Sequence, residues 1–444
     1  MPEYTVAFLS LGCAKNLVNT EQMMALVKRA GHKVVMNPNG ADVAVLNTCG
    51  FIDSAQMEAI DTILELAELK KAGALKKLLV AGCMVQRNGS AVREELPEVD
   101  GLIGCGSFEE INSAIEAAMD RGEVPQLFGD INGPLKETER MVSTPPWTAY
   151  LRIAEGCDNR CAYCIIPFLR GRYRSREMEA ILEEAKWLAS RGVKELIVIA
   201  QDITRYGIDR YGEYRLAPLL KALCQIDGFH WIRLHYLYPD ELTEELIDVI
   251  ASEDKIVKYL DIPIQHIDDK ILKAMNRRGT GGEIKALFHT LRQRIPNLVL
   301  RTSIICGLPG ESEEAFEALC TFLQESRLER AGVFAFSPQE GTKAAEMPGQ
   351  VDEETAAKRV EHLVELQSRQ MDAYNASLEG KTIEVLVEGV ETETGRFYGR
   401  SWADSPDIDG LVFFDGSEQT PIGNFVQVFI TGSQDGNLTG AMKS

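Results

Sequence analysis

The sequence predicts an α/β protein in three segments: an N-terminal open parallel-sheet domain, a central partial (βα)6 barrel, and a small C-terminal antiparallel β-barrel. Three observations carry this. Short apolar runs of strand length alternate with helix-length stretches along most of the chain. The pair Pro145-Pro146 interrupts that alternation, because adjacent prolines continue neither a helix nor a central strand. After a long polar helix over residues 352–378, glycines and acidic turns separate β-rich blocks. The domains drawn from these signals are 1–138, 143–374 and 376–444.

In the first segment, residues 5–11, 42–47 and 77–81 read as strands, with helices over 20–30 and 53–70 between them. A cysteine follows each strand almost at once: Cys13, then Cys49 in Asn47-Thr48-Cys49-Gly50, then Cys83 in Ala81-Gly82-Cys83-Met84. Ligands of open parallel sheets bind outside the carboxyl ends of the strands. Three thiolates far apart in sequence therefore converge on one point, a metal site. The competing reading is a set of small buried hydrophobes. Cys105 also ends a short apolar run, and it is either a fourth ligand or a buried thiol.

Six strand-like runs fill the second segment, over 149–154, 195–200, 231–235, 256–262, 298–305 and 333–337. Helical stretches such as 177–190 and 313–325 separate them. Six βα units make a partial barrel, and barrel chemistry sits at the C-terminal mouth of the strands. The loop after the first strand carries Cys157, Cys161 and Cys164 in a C-x-x-x-C-x-x-C run. Three thiolates in one tight loop hold three corners of a cubane 4Fe-4S cluster and leave its fourth iron open. Structural zinc is the alternative, but it wants four closed ligands; a trio of core cysteines is another. Cys224, Cys306 and Cys320 lie in apolar patterns and read as packing.

The β-rich blocks of the tail, 381–390, 397–414 and 424–431, suggest a five-stranded barrel of the OB-like kind. Such barrels often bind RNA. This one carries eleven Asp and Glu against four Lys and Arg from Asn375 onward, which argues against a nucleic-acid partner. The whole chain has 47 Lys and Arg against 67 Asp and Glu, a net charge of −20 that favours basic partners. At 444 residues, 45% hydrophobic and 7% aromatic, the composition is that of an ordinary globular protein. No apolar run reaches the roughly 18 residues of a membrane span. The first residues lack a basic n-region and read as a strand, so a cytoplasmic protein without a membrane partner is expected. Ten cysteines in that setting mean metal or catalysis more often than disulfides.

Two three-cysteine sets in this order, followed by a small β-barrel, resemble the methylthiotransferases of the radical S-adenosylmethionine (SAM) superfamily. The resemblance covers nearly the whole chain. Ser10 to Val18 (SLGCAKNLV), Cys49 to Ala55 (CGFIDSA) and Glu155 to Arg176 (EGCDNRCAYCIIPFLRGRYRSR) look like the RimO-type branch, which acts on a small-subunit ribosomal protein. The MiaB-type branch, which acts on tRNA adenosine, tends to carry Gln-Met-Asn where this chain has Ala14-Lys15-Asn16. Asn19-Thr20 departs from the Asp-Ser typical of either branch.

The resemblance implies a TIM-like partial barrel, a TRAM-like tail and two 4Fe-4S clusters. One, on Cys157, Cys161 and Cys164, binds SAM and cleaves it to a 5′-deoxyadenosyl radical. The other, auxiliary, on Cys13, Cys49 and Cys83, carries sulfur, and a second SAM methylates that sulfur. The implied product is a methylthio group on the β-carbon of an aspartate in ribosomal protein twelve of the small subunit, free or in the ribosomal subunit. A flavodoxin- or ferredoxin-like protein is the implied electron donor. Cys105 lies outside the family's ligand pattern. The rivals are a tRNA methylthiotransferase and an iron–sulfur electron-transfer or scaffold protein, which would need only closed clusters.

Tyr163, Gln201, Gln265 and Gly307 mark the SAM region by analogy. Tyr163 stands against a bland alternative, a core aromatic. Gln201-Asp202 and Gln265-His266 fall at barrel strand ends. Gly307-Leu308-Pro309-Gly310-Glu311 resembles a glycine-rich SAM turn, with a plain strand-to-helix turn as its alternative and no P-loop lysine. Arg170, Arg172, Arg174 and Arg176 alternate after the cluster loop, reading as a solvated face or as residues lining the cavity mouth. The histidines show no ligand spacing, and none is assigned to metal.

Overall fold

The structure, a computed structural model, describes residues 3–417 and 419–443. Its first sheet is all parallel, with β1 (Thr5–Ser10), β2 (Lys33–Val35), β3 (Val43–Thr48), β4 (Lys77–Gly82), β5 (Gly101–Ile103) and β6 (Gln126–Leu127) in the order β2-β1-β3-β4-β5-β6. The central strands are apolar on both faces because helices cover both. Ala44, Leu46, Leu78 and Val80 pack on Ile63 and Leu66 of α2 (Asp53–Lys71), while Val43, Val45, Leu79 and Ala81 meet Met23, Met24 and Val27 of α1 (Ala14–Arg29). The chain leaves β1 for β2 on one side and returns to β3 on the other. That reversal opens a crevice between β1 and β3. Helix α1 starts six residues before the predicted 20–30, since its first turns bury polar side chains (Lys15, Asn16, Asn19 and Thr20) that hide the apolar period.

The connector over residues 128–147 leads into the second sheet. It comprises β7 (Thr148–Arg152), then β10 (Glu195–Ile199), β11 (Trp231–Leu234), β12 (Ile256–Asp261), β13 (Val299–Cys306) and β14 (Arg330–Ala335); between β7 and β10 lie the short antiparallel pair β8 (Ala154–Glu155) and β9 (Arg174–Ser175). Each of the six main strands is parallel to its predecessor, and the sheet does not close, so β7 and β14 are its edges. This is the partial six-unit barrel the sequence predicts.

Helix Glu353–Ser377 then delivers the chain to a closed barrel of β15 (Thr382–Val390), β16 (Phe397–Arg400), β17 (Val412–Asp415), β18 (Phe425–Gln434) and β19 (Asn437–Met442) in the order β15-β16-β17-β19-β18. The block expected over 397–414 is two strands, and the last of the five expected strands is β19, which lies past the final expected block and is turned back at Asp435-Gly436. Its pairing with β17 is parallel, while the other pairs are antiparallel. Among the described residues no helix is long and apolar enough to cross a membrane.

The loop over residues 401–411 leaves this barrel and enters the open end of the central one. The Tyr259 hydroxyl donates to Asp409 at 2.7 Å, the Ser405 hydroxyl lies 3.0 Å from His235 Nε2, and Arg330 Nη2 donates to Asp404 at 3.0 Å. Beside it Glu195, fully buried, accepts from Arg233 Nε at 2.8 Å and Arg400 Nη2 at 2.6 Å. Burial opposes the Glu195 charge, but the Arg400 and Arg233 guanidinium groups overcome it and hold the carboxyl down at about 2. A carboxyl depressed in the folded state contributes stability that is complete above its unfolded value and is lost as pH falls through the folded one. Glu195→Gln is therefore expected to lower the urea midpoint at pH 7 by the equivalent of about 3 kcal/mol. That deficit should shrink as pH drops from about 4.5 toward 2, because only the wild type has a charge to lose.

Candidate functional site

The loop carrying Cys157, Cys161 and Cys164 is tied down by backbone bonds on every side. Cys157 N donates to Gly171 O at 3.1 Å, Ala162 N to Met275 O at 2.9 Å, and Ala344 N to Ala162 O at 2.9 Å. At Gly156, φ is +79° and a Cβ would lie 2.0 Å from Arg172 O, so only glycine fits. The three cysteines line one cavity of about 350 Å³, shared with Pro167, Arg172 and Asn276 and flanked by Phe168, 65% exposed. Burial pushes the Cys157 thiol up to about 12 and moves Cys164 upward as well. Two residues absent from the sequence reasoning reach this loop. The Tyr238 hydroxyl lies 3.3 Å from Cys161 Sγ, and Arg277 Nη1 points at the same sulfur from 3.9 Å while stacked on the Tyr238 ring. Nothing in their spacing announces them; they arrive from the ends of β11 and of helix Asp269–Ala274.

Cys13, Cys49 and Cys83 follow the carboxyl ends of β1, β3 and β4 as the sequence predicts. Cys13 stands immediately before α1, and Cys83 opens a third helix, α3 (Cys83–Glu95). The three loops are in van der Waals contact. A Cβ on Gly12 would lie 2.7 Å from Cys49 Cβ, and one on Gly50 2.7 Å from Met84 Cα. Burial raises the Cys49 thiol to about 11, and the neighbouring Cys83 and Cys13 add to it. Cys83 is lowered, by a hydrogen bond from the Cys105 thiol 3.9 Å away and by Arg170. Cys105 thus sits against Cys83 at the end of the next strand, while Cys224 and Cys306 are buried in the barrel core with Cys320 packed on it.

The two cysteine sets adjoin. Cys83 packs on Ile165, the residue after Cys164. Arg170, 3% exposed, closes the seam: Nε donates to Cys83 Sγ at 3.4 Å, Nη1 to Asn19 Oδ1 at 2.9 Å and Glu155 Oε2 at 3.1 Å, and Nη2 to Asn16 Oδ1. Glu155 also accepts from Arg152 at 2.7 Å and from Gln201 Nε2 at 2.7 Å. Burial works against its charge, but Arg170 and Arg152 hold it near 2. The solvated-face reading of the arginine run fails for Arg170 and Arg176, which are buried in ion pairs; Arg172 is exposed.

The remaining predicted residues distribute unevenly. Gln201 lies at the end of β10, and its Oε1 is buried without a hydrogen-bond partner. Tyr163 packs beside Met275 and Leu308. Gln265 takes a left-handed φ of +72° where the chain bridges to β13, a strained conformation for a residue with a Cβ. Gly307 faces away: its amide donates to Glu311 at 2.9 Å, and a Cβ there would meet Ala356 of the long helix at 2.7 Å. His266 is buried 3.4 Å from Glu311. Among the described residues, no group of three His, Cys, Asp or Glu side chains stands ready to clasp a single ion. The fit to a cluster therefore rests on the donors: two sets of three thiols, one lining a cavity, with no fourth protein ligand in the C-x-x-x-C-x-x-C loop and an unpaired Gln201 oxygen nearby.

An open six-stranded parallel barrel with a three-cysteine loop at its mouth defines a radical SAM protein, and residues 151–323 match the Radical SAM superfamily. Residues 5–104 match the Uncharacterized protein family UPF0004 and residues 380–442 the TRAM domain. The chain is 47% identical over 438 residues to the ribosomal protein uS12 methylthiotransferase RimO of Pelotomaculum thermopropionicum, covering 98% of each. It is 46% identical to the protein of that name from Pelobacter propionicus, over 99% of this chain and 98% of that one. The chain belongs to the RimO methylthiotransferase family. Among solved structures it is similar to the radical SAM methyltransferase TsrM of Kitasatospora setae, with a TM-score of 0.58, 15% identity and 77% of each chain covered. The cobalamin-dependent radical enzyme OxsB gives 0.55 at 13% identity, over 83% of this chain and 56% of that one. At such identities these two attest the fold alone.

The donor sets make a prediction for iron analysis. Cys83→Ala should lower iron and labile sulfide by about half in anaerobically reconstituted protein, on the four-iron stoichiometry of each cluster. Cys105→Ala should leave both unchanged.

Proposed function

We propose that this protein is a methylthiotransferase that uses radical SAM chemistry to attach a methylthio group to the β-carbon of an aspartate in ribosomal protein uS12. The single observation that carries this is the contact between the two cysteine sets, with Cys83 packed on the residue that follows Cys164. One open cluster makes a radical; two that adjoin suit sulfur insertion. The reading assigns Cys157, Cys161 and Cys164 to a SAM-binding 4Fe-4S cluster and Cys13, Cys49 and Cys83 to an auxiliary one. Bound together, those groups supply a carbon-centred radical and a transferable methylated sulfur.

The chain's own residues orient and enclose. The Gln201 carbonyl oxygen, without a partner, is free to accept from the SAM amino group, and Tyr163 and Gln265 are assigned to the same SAM region. Tyr238 and Arg277 hold the Cys161 sulfur by hydrogen bonds and replace water there. The C-terminal barrel, acidic and fixed through Glu195 and Arg400, presents negative charge to a substrate protein rich in lysine and arginine. The same charge opposes tRNA phosphates. A flavodoxin- or ferredoxin-like protein is proposed as reductant, and the cytoplasm, where ribosomes are assembled, as the compartment.

Reconstituted anaerobically with SAM, sulfide and a reductant, the protein should add a methylthio mass to an aspartate of uS12 and leave tRNA unmodified. Mass spectrometry of both substrates reads the outcome, and modification of tRNA alone would overturn the assignment. Cys161→Ala should reduce SAM cleavage to background.

A further inference from the structure

Arg170 belongs to the Cys157-loop domain and donates to a sulfur of the other cysteine-bearing domain. It ends the short helix Ile166–Arg170, directly after the Cys157–Cys164 loop, and so moves with that loop. Its Nε nevertheless donates to a sulfur of the other domain, Cys83, and its remaining N–H groups reach Asn16 and Asn19 of α1. Glu155, two residues before Cys157, neutralises it at 3.1 Å. Four acceptors from three segments around one planar fork leave the guanidinium no second orientation, and a lysine ammonium, with three donors on one atom, reproduces only part of the set.

We propose that Arg170 is a positioning residue that sets the auxiliary cysteine set against the radical SAM loop and, through its bond to Cys83, tunes the auxiliary group. The inference rests on the cluster reading above. A hydrogen bond to a cluster-bound sulfur stabilises the more reduced, more negative state and so raises the reduction potential. In a dry seam no water takes the place of a lost donor. The position also separates two activities: SAM cleavage needs only the Cys157 loop and its surroundings, whereas sulfur transfer needs that loop and Cys83 in register.

The test uses Arg170→Gln and Arg170→Lys in the reconstituted enzyme, with Asn19→Ala as a milder variant should either fail to fold. In each, the ratio of 5′-deoxyadenosine to methylthiolated uS12 should rise, by about tenfold for Arg170→Gln, the effect of roughly 1.4 kcal/mol lost from transfer alone. A second readout does not depend on turnover. In protein whose Cys157, Cys161 and Cys164 are all alanine, the auxiliary cluster's potential, followed by electron paramagnetic resonance, should become more negative with Arg170→Gln and lie between the two values with Arg170→Lys. Equal potentials with and without Arg170, or 5′-deoxyadenosine and product falling in step, would overturn the proposal. A wild type that never modifies uS12 would sink the proposed function instead, and the potentials would still decide the role of Arg170.

Discussion

The structure depends on one constraint: guanidinium and carboxylate groups sealed between two parallel sheets must neutralise one another, because neither survives alone away from water. Along the seam they alternate. Arg170 and Arg152 flank Glu155; Arg140 bridges Glu21 of α1 and Glu184 of the barrel; Arg176 joins Glu184 to Glu137 of the connector. Glu155 pairs within the second domain, whereas Arg140–Glu21 and Arg176–Glu137 form only when separate segments meet. Such a lattice contributes little net stability compared with a packed apolar seam. What it provides is a single register, since sliding either domain would strand several buried charges at once.

Register is what the chemistry needs. Parallel sheets place their reactive loops at carboxyl ends, and here two such ends are turned toward each other across the lattice. The two ends meet where Cys83 packs on Ile165. The first contributes cysteines from three loops knitted by Gly12 and Gly50; the second contributes a loop pinned by Gly156. A radical generated in solvent would be quenched, and closing the site is the protein's share of the work. The lower end of the partial barrel is sealed differently, by the loop over 401–411 from the C-terminal barrel, whose Asp404 and Asp409 meet Arg330 and Tyr259. The C-terminal barrel is thereby anchored to the floor of the central one.

Much of this was legible in the sequence, and for a physical reason. Strands buried on both faces are continuous apolar runs, so nine of the main strands and all six strand-end or loop cysteines read directly from pattern. What stayed hidden was carried by polar residues with tertiary partners. Arg170, Arg172, Arg174 and Arg176 look alike in sequence, yet two are buried and one is exposed, and only the positions of Glu155, Glu137 and Glu184 separate them. Tyr238 and Arg277 meet Cys161 from the segments that follow β11 and helix Asp269–Ala274, far apart in sequence. The start of α1 was missed because Asn16 and Asn19 sit where apolar residues would be counted, and β19 because it follows a two-residue reversal at Asp435-Gly436, past the last β-rich block, and is only half apolar.

The same polar residues explain why the two cysteine sets differ. The Cys157 loop sits in a recess that burial makes hostile to thiolates, with Arg277 Nη1 3.9 Å from Cys161 Sγ. Cys83 has Arg170 at hydrogen-bond distance and Cys105 beside it, so negative charge is welcome on that sulfur. Each set thus has one buried guanidinium at a sulfur, and the one that reaches Cys83 comes from the helix that follows the Cys157 loop, so the two sets are tied by a residue of one to a sulfur of the other.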